Sequence, residues 1–239
     1  MPAAVRRLDA RKNTTLGFYG MLTLYHCYNA RSFRPLWTLE EMGLHYELKM
    51  LPFPPRREAP DYLAVNPLGT VPAFFDGSMR MTESSAICQY LVTRYGPTSL
   101  AVEPSEPDYG LFLNWLYFGE ATLTFPQTIV LRYSALEPQE RRSAQVAADY
   151  SQWFLSRLRG VDAVVSQQAT LCAGRFTVAD ISVGFALMLA QFLGLDAKFS
   201  PAVASYWTSL KARDGFRRTV ERQKTAARQQ NVPEFPLRA

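Results

Sequence analysis

The pattern of apolar and polar positions divides this chain into two halves of different character. "MLTLY" (21–25) is a short apolar run that predicts a buried strand. In "RSFRPLWTLEEMG", Phe33, Leu36, Trp37, Leu39 and Met42 recur at helical spacing, and Gly43 supplies a stop. "HYELKML" (45–51) alternates like a second strand. "FPPRREAP" reads as a proline-rich loop, and "PDYLAVNP" as a short helix ended by Asn66-Pro67. Ala73–Phe75 and Ser78–Met81 then flank Asp76-Gly77, a two-residue turn suited to a tight hairpin, with Asp76 expected to serve the turn alone. From Glu83 onward, Ile87, Tyr90, Leu91 and Tyr95 share one face of a helix that Gly96-Pro97 stops. The order β-α-β-α-β-β-α implies a partly parallel sheet with an antiparallel edge.

After "GPTSLAVEPSEPD", a linker containing Pro and Ser, strand alternation disappears and helical periodicity takes over from Tyr109 to about Arg222. Segments at 109–135, 138–167, 178–193 and 201–212 are predicted as helices. "ADISVGFALMLAQFLG" is apolar nearly all round, which predicts the central buried helix of this half. Thr177 with Asp180 three residues on forms a capping box with Asp in place of Glu, and Phe176 can staple onto the first turn. The expected class is therefore α/β followed by all-α. Residues 1–20 are expected as a poorly ordered extension, 21–98 as the sheet-bearing domain, 106–222 as the helical domain and 223–239 as a basic C-terminal tail.

Bulk properties narrow the function. The chain has 239 residues, 48% of them hydrophobic, as a globular protein does. No run approaches the roughly 20 apolar residues of a membrane span, and residues 1–20 lack the apolar core of a secretory leader, so a cytoplasmic protein is expected. Three cysteines without a CxxC do not make a disulfide framework, and two histidines do not make a zinc site. The net charge is +5, but residues 1–20 and 222–239 each carry +3 and leave the body near neutral. That placement argues against nucleic-acid binding, which uses a basic patch on the folded body.

The segment Gly69–Ile87, "GTVPAFFDGSMRMTESSAI", carries the chemistry. Pro72 has no N–H and so belongs at a strand's start. A cis Val71–Pro72 bond would turn the Val71 N–H and C=O toward open space, where an extended peptide can pair with them. Glu83-Ser84 falls at a helix N-terminus, where free N–H groups and the helix dipole favour a carboxylate, while the Glu83 side chain favours an ammonium. Together they suit a short peptide with a free amino-acid end.

These residues are similar to those of a known family. "NPLGTVP" (Asn66–Pro72), "ESSAI" (Glu83–Ile87) and "FTVADI" (Phe176–Ile181) resemble the cytosolic glutathione S-transferases over about residues 21–222. The resemblance implies a thioredoxin-like N-terminal domain, with a mixed four-stranded sheet, and an all-helical C-terminal domain. It implies glutathione as co-substrate, no metal, and a homodimer. Val71 would pair with the cysteinyl part, Pro72 would be the cis-proline, and Glu83 and Ser84 would hold the γ-glutamyl end. In this family a group at the end of the first strand stabilises the thiolate. Counting back from Gly43 places that group at Asn29, with Ser32 and Cys27 as alternatives. Some bacterial and fungal relatives acting as disulfide reductases or peroxidases use Asn there. An Asn amide can donate a hydrogen bond to a thiolate but cannot carry its proton. His26 reads as a strand-end side chain, and Arg34 as a solvated or inter-domain charge. The second substrate, an apolar electrophile or a disulfide, is expected between the domains, with Tyr28, Trp115 and Phe118 as lining residues. A non-catalytic binding module on the same fold, using the basic tails, is the reading from a different class.

Overall fold

The computed structural model describes residues 21–234. The extension expected at 1–20 and the last residues of the expected tail, 235–239, lie outside that range. Strand β1 (Leu22–His26) is central to a four-stranded sheet of order β2-β1-β3-β4. It pairs in parallel with β2 (Tyr46–Met50) and antiparallel with β3 (Ala73–Asp76), which turns back into β4 (Met79–Met81). Helix α1 (Phe33–Met42) makes the crossover from β1 to β2. It ends where Gly43 takes φ +63°, the left-handed conformation that a Cβ penalises, and Leu44 N–H reaches the Leu39 carbonyl. The loop expected at 53–60 contains one helical turn, α2 (Pro55–Glu58), and a 3₁₀ turn at Pro60–Ala64 follows. Helix α3 (Ser84–Arg94) completes this half.

From Tyr109 onward every described element is helical. Helix α4 (Tyr109–Phe118) runs into a π-helical segment (Gly119–Thr124), then α5 (Phe125–Leu131) and a second π segment (Arg132–Leu136). The pattern read this rod as one helix. Pro126 explains the first break, because its ring excludes the ordinary i→i−4 ladder and a wider turn accommodates it. Helices α6 (Ala144–Val165), α7 (Val178–Phe192), α8 (Pro201–Lys211) and α9 (Asp214–Gln229) follow. The central helix is α7, buried along nearly its whole length. Its Thr177–Asp180 capping box is formed, with Thr177 N–H donating to Asp180 Oδ2 at 2.8 Å, a cap typically worth about 1 kcal/mol. Phe176 packs on Trp37 and lies under the Arg213 guanidinium, so it ties the two halves together.

Residues 223–229, expected as the start of a basic tail, instead continue α9, which docks on α1 and β2. Ala226 and Ala227 enter the core beneath the sheet beside Leu36, Leu39 and Ile87. Three arginines at and after the start of α9 are engaged within the molecule. Arg213 pairs with Glu41 at 2.8 Å, Arg218 with Glu40 at 3.4 Å, and Arg222 lies over the Tyr46 ring. Gln230 then bonds the β2 backbone at Met50 N and Leu48 O, covering part of an edge strand.

Candidate functional site

The loop before β3 is built by Asn66. Its Nδ2 donates to the Thr70 carbonyl at 2.8 Å, its Oδ1 accepts from Leu68 N–H at 3.2 Å, and the Tyr62 hydroxyl donates to the same Thr70 carbonyl. The side chain thereby replaces backbone bonds that an irregular loop cannot make. The Val71–Pro72 peptide bond is cis. The ladder between β1 and β3 ends at the Tyr25–Ala73 pair, so the peptide groups of Val71 lie beyond it. Asp76 is more than a turn residue. Its Oδ2 accepts from the hydroxyls of Tyr90 at 2.7 Å and Tyr95 at 2.5 Å, which fastens the hairpin to α3.

Glu83 is the N-cap of α3 and is exposed; Ser84 is the first helical residue and is buried. Behind Ser84 stands Arg34, fully buried between the two halves. All five of its N–H donors are used. Nε reaches Ser182 O; Nη1 reaches Ser84 Oγ and Glu120 Oε2; Nη2 reaches Gly119 O and Thr124 Oγ1. Its guanidinium also lies 4.3 Å above the Phe185 ring. Arg34 is thus an inter-domain charge and not a solvated one. Because Ser84 Oγ accepts from Arg34, its own O–H is left to donate. The π segment brings Gly119 against α7 so closely that a Cβ there would lie 2.4 Å from Ser182 Oγ, which is why a glycine occupies the position. Burial raises the Glu120 carboxyl, but Arg34 and Arg31 outweigh burial and hold it below the usual carboxylate range.

Asn29 lies in the loop between β1 and α1 with φ +53°, a conformation Asn tolerates better than most residues. Its backbone N–H donates to Gln223 Oε1 at 3.1 Å, and its Oδ1 accepts from Gln223 Nε2 at 2.7 Å. Gln223 belongs to α9, the helix expected to have ended. His26 is buried beside it, with Nε2 3.0 Å from Gln223 Oε1 and Nδ1 2.7 Å from Ser32 Oγ.

Residues 20–93 match the family model for the glutathione S-transferase N-terminal domain. The chain is 30% identical over 196 residues to a probable glutathione S-transferase of Oryza sativa, covering 79% of this chain and 90% of that one. It is 36% identical over 103 residues to glutathione S-transferase 3 of Schizosaccharomyces pombe, 43% of either chain. The glutathione transferase URE2P6 of Phanerochaete chrysosporium, solved with oxidised glutathione, superposes with a TM-score of 0.76 at 30% identity, covering 87% of this chain and 98% of that one. The chain belongs to the cytosolic glutathione S-transferase family. Its sheet-bearing half is the family's thioredoxin-like domain and its helical half the family's C-terminal domain.

Among the residues proposed from sequence for this glutathione S-transferase fold, Asn29 has the amide donor free. Ser32 is buried with its hydroxyl on His26. Cys27 is buried, its thiol donates to the Pro52 carbonyl at 3.6 Å, and burial pushes the thiol up to about 12, the opposite of what an activated cysteine needs. Of the aromatic residues expected as lining, Phe118 borders a cleft with Leu113, Asn114 and Tyr117 on the surface of α4. Trp115 is buried in the helical core and packs edge-to-face on Phe118 at 5.1 Å, and both rings face Gly160 of α6, where the absent side chain makes room. Tyr28 packs against the core beneath the sheet, with burial and then Glu234 raising its phenol. The α4–α5 side chain that reaches the Asn29 loop is instead Glu120, paired with Arg31 at 2.5 Å. Gln223, Arg34, Glu120 and Asn66 are the site residues whose roles the sequence did not disclose. For Gln223 the available signal was the spacing of Phe216, Thr219, Gln223, Ala226 and Ala227, one face of a helix.

Burial holds the His26 imidazole down at about 4, against an ordinary 6.5. The unfolded chain therefore takes up a proton near 6.5 that the folded chain refuses until about 4. Between those values stability falls as pH falls; above 6.5 it is fully present. The loss amounts to about 3 kcal/mol by pH 4. Urea midpoints measured between these pH values should drop more steeply for wild type than for His26→Asn, and parallel slopes would refute this assignment.

Proposed function

We propose that this protein is a glutathione transferase that holds glutathione along the Val71–Pro72 segment and activates its thiol through Asn29. Val71's backbone pairs with the cysteinyl residue, Pro72 shapes that segment, and Glu83 and Ser84 take the ammonium and carboxylate of the γ-glutamyl end. The observation that carries this reading is the orientation of the Asn29 amide. With Oδ1 engaged by Gln223, Nδ2 is the end left to face a ligand, and it is a donor. The thiol proton goes to solvent, since an amide cannot accept it. The thiolate then attacks an electrophilic carbon, a C–S bond forms, and the leaving group departs with the electron pair of its bond.

A second reading, glutathione-dependent disulfide or peroxide reduction, is favoured by the Arg31–Glu120 ion pair where an aromatic wall was expected. The relative solved with oxidised glutathione, itself a disulfide, points the same way. A cytoplasmic homodimer belongs to the same proposal. The test is calorimetric titration with glutathione, followed by turnover of an aryl halide and of a mixed glutathione disulfide. Glu83→Gln should weaken glutathione binding about tenfold, the loss of one charge-assisted contact. A preference for the disulfide would replace the first reading by the second. Glutathione binding without turnover of either substrate would make the chain a binding module, and no binding at all would refute the site.

A further inference from the structure

Each hydrogen bond around Asn29 has a fixed direction, because one donor in the group cannot be reversed. The backbone N–H of Asn29 can only donate, so Gln223 Oε1 at 3.1 Å is an acceptor. Gln223 Nε2 is then the donor, and the Asn29 side-chain oxygen 2.7 Å away accepts from it. His26 Nε2, 3.0 Å from the same Gln223 oxygen, must carry the ring's hydrogen. Its Nδ1 therefore accepts from the Ser32 hydroxyl at 2.7 Å. His26, Ser32 and Gln223 are all buried, Gln223 at 1% exposure, so water does not offer these groups substitutes. The chain of bonds runs Ser32 to His26 to Gln223, and Gln223 then grips Asn29 at two points, backbone and side chain. Turning the Asn29 amide around would put its NH₂ against the Gln223 NH₂, donor on donor.

We propose that Gln223, a residue of the C-terminal helix, is the positioning residue that decides which end of the Asn29 amide meets the glutathione thiol. This rests on the Asn29 reading above. His26 serves as the support that keeps the Gln223 oxygen in place, and neutral imidazole is the form that does so while Ser32 donates to its other nitrogen. Helix α9 is thereby part of the site, although Gln223 lies 194 positions after the residue it holds. Without Gln223 the amide is free to present its oxygen, an acceptor that repels a thiolate.

The readout is the pKa of the glutathione thiol in the binary complex, followed by the ultraviolet absorbance of the thiolate. Gln223→Met keeps the side chain's length and removes both polar ends; Gln223→Asn keeps an amide but falls one methylene short. Gln230→Ala is the control, since Gln230 anchors the same C-terminal region through Met50 N and Leu48 O and does not touch Asn29. Circular dichroism identifies folded variants. The thiol pKa should rise by about one unit in each Gln223 variant, a tenfold loss of thiolate at neutral pH. It should stay at the wild-type value in Gln230→Ala. Glutathione affinity measured well below the thiol pKa should stay near wild type. Adding Gln223→Met to Asn29→Gly should shift the pKa no further than Asn29→Gly alone, because the two residues act as one unit. Folded Gln223 variants with the wild-type thiol pKa, or a double variant whose shifts add, would overturn the role of Gln223 alone. An Asn29→Gly variant with an unshifted thiol pKa would overturn the Asn29 reading and this one with it.

Discussion

Asn29→Asp should raise the pKa of enzyme-bound glutathione by two units or more, the largest catalytic effect of any single change considered. The substitution leaves shape and left-handed backbone nearly unaltered, because Asp, like Asn, tolerates φ near +53°. One carboxylate oxygen can still accept from Gln223 Nε2, so the loop stays gripped. The other oxygen replaces the Nδ2 donor and places a negative charge where the thiolate must form. Asn29→Gly isolates the smaller part of the effect by deleting the donor without straining the backbone, which Asn29→Ala would do. A hydrogen bond to a charged group contributes about 1.5–3 kcal/mol, so its loss should shift the thiol by about one to two units. The rate should fall less than the thiolate population. A more basic thiolate is intrinsically more nucleophilic, with a Brønsted slope of about 0.4–0.5, which recovers close to half of each tenfold loss. About a 3- to 10-fold drop in kcat/KM is therefore expected for Asn29→Gly at neutral pH, closing and then reversing as pH rises past the thiol pKa in the variant, where only the greater nucleophilicity of its thiolate is left. A pH-independent ratio of the two rates would mean that Asn29 positions the substrate and does not stabilise the thiolate.

What the sequence disclosed about this fold and site follows from how each feature is encoded. Strands β1 and β2, the Asp76-Gly77 hairpin and the capping box of α7 are specified by residues within a few positions of one another, and all were legible. The place of Asn29 in the loop between β1 and α1 was legible because its distance from Gly43 is a local measure. Gln223 was not. The buried face of α9 is Phe216, Thr219, Gln223, Ala226 and Ala227, small and polar apart from one ring, while the opposite face is arginine-rich. An apolar-periodicity reading therefore assigned residues from 223 on to a tail, and the charge count strengthened the error. The arginines are present because α1 and β2 offer Glu41, Glu40 and the Tyr46 ring to them. Arg34 was left open between a solvated and an inter-domain charge for a related reason. A guanidinium in an amphipathic helix ordinarily lies in solvent, and only the π segment of the other half, with Gly119 in contact with Ser182, supplies acceptors enough to bury it. Trp115 lies in the core because an aromatic helix does not disclose which of its rings meet the protein interior. Gly160, forty-odd residues away on α6, makes room for that ring.

Arg34→Met should destabilise the fold by about 3 kcal/mol, the largest structural effect expected of a single substitution here. The methionine fills much of the volume, so the loss is electrostatic. Ser182 O, Gly119 O and Thr124 Oγ1 lose donors in a region that water does not reach, and Glu120 loses one of its two cations. Breaking a buried ion pair from one side usually costs about 3–5 kcal/mol. The lower end applies because the Glu120 side chain is 24% exposed and keeps Arg31 at 2.5 Å. For a chain of this size the expected fall in Tm is about 6–12 °C. Arg34→Lys should recover only a part, since an ammonium restores the charge but has three donors where five are used. High salt should not reproduce the Arg34→Met loss in wild type, as screening acts weakly on a charge with no solvent exposure. The functional consequence follows from one bond in the set. Nη1 of Arg34 reaches Ser84 Oγ, and removing it frees that hydroxyl to rotate. Glutathione affinity should therefore fall in Arg34→Met even at temperatures where the variant is fully folded. Calorimetry and thermal unfolding on the same samples separate the two effects. A variant that loses stability but binds glutathione as wild type does would confine Arg34 to the domain interface.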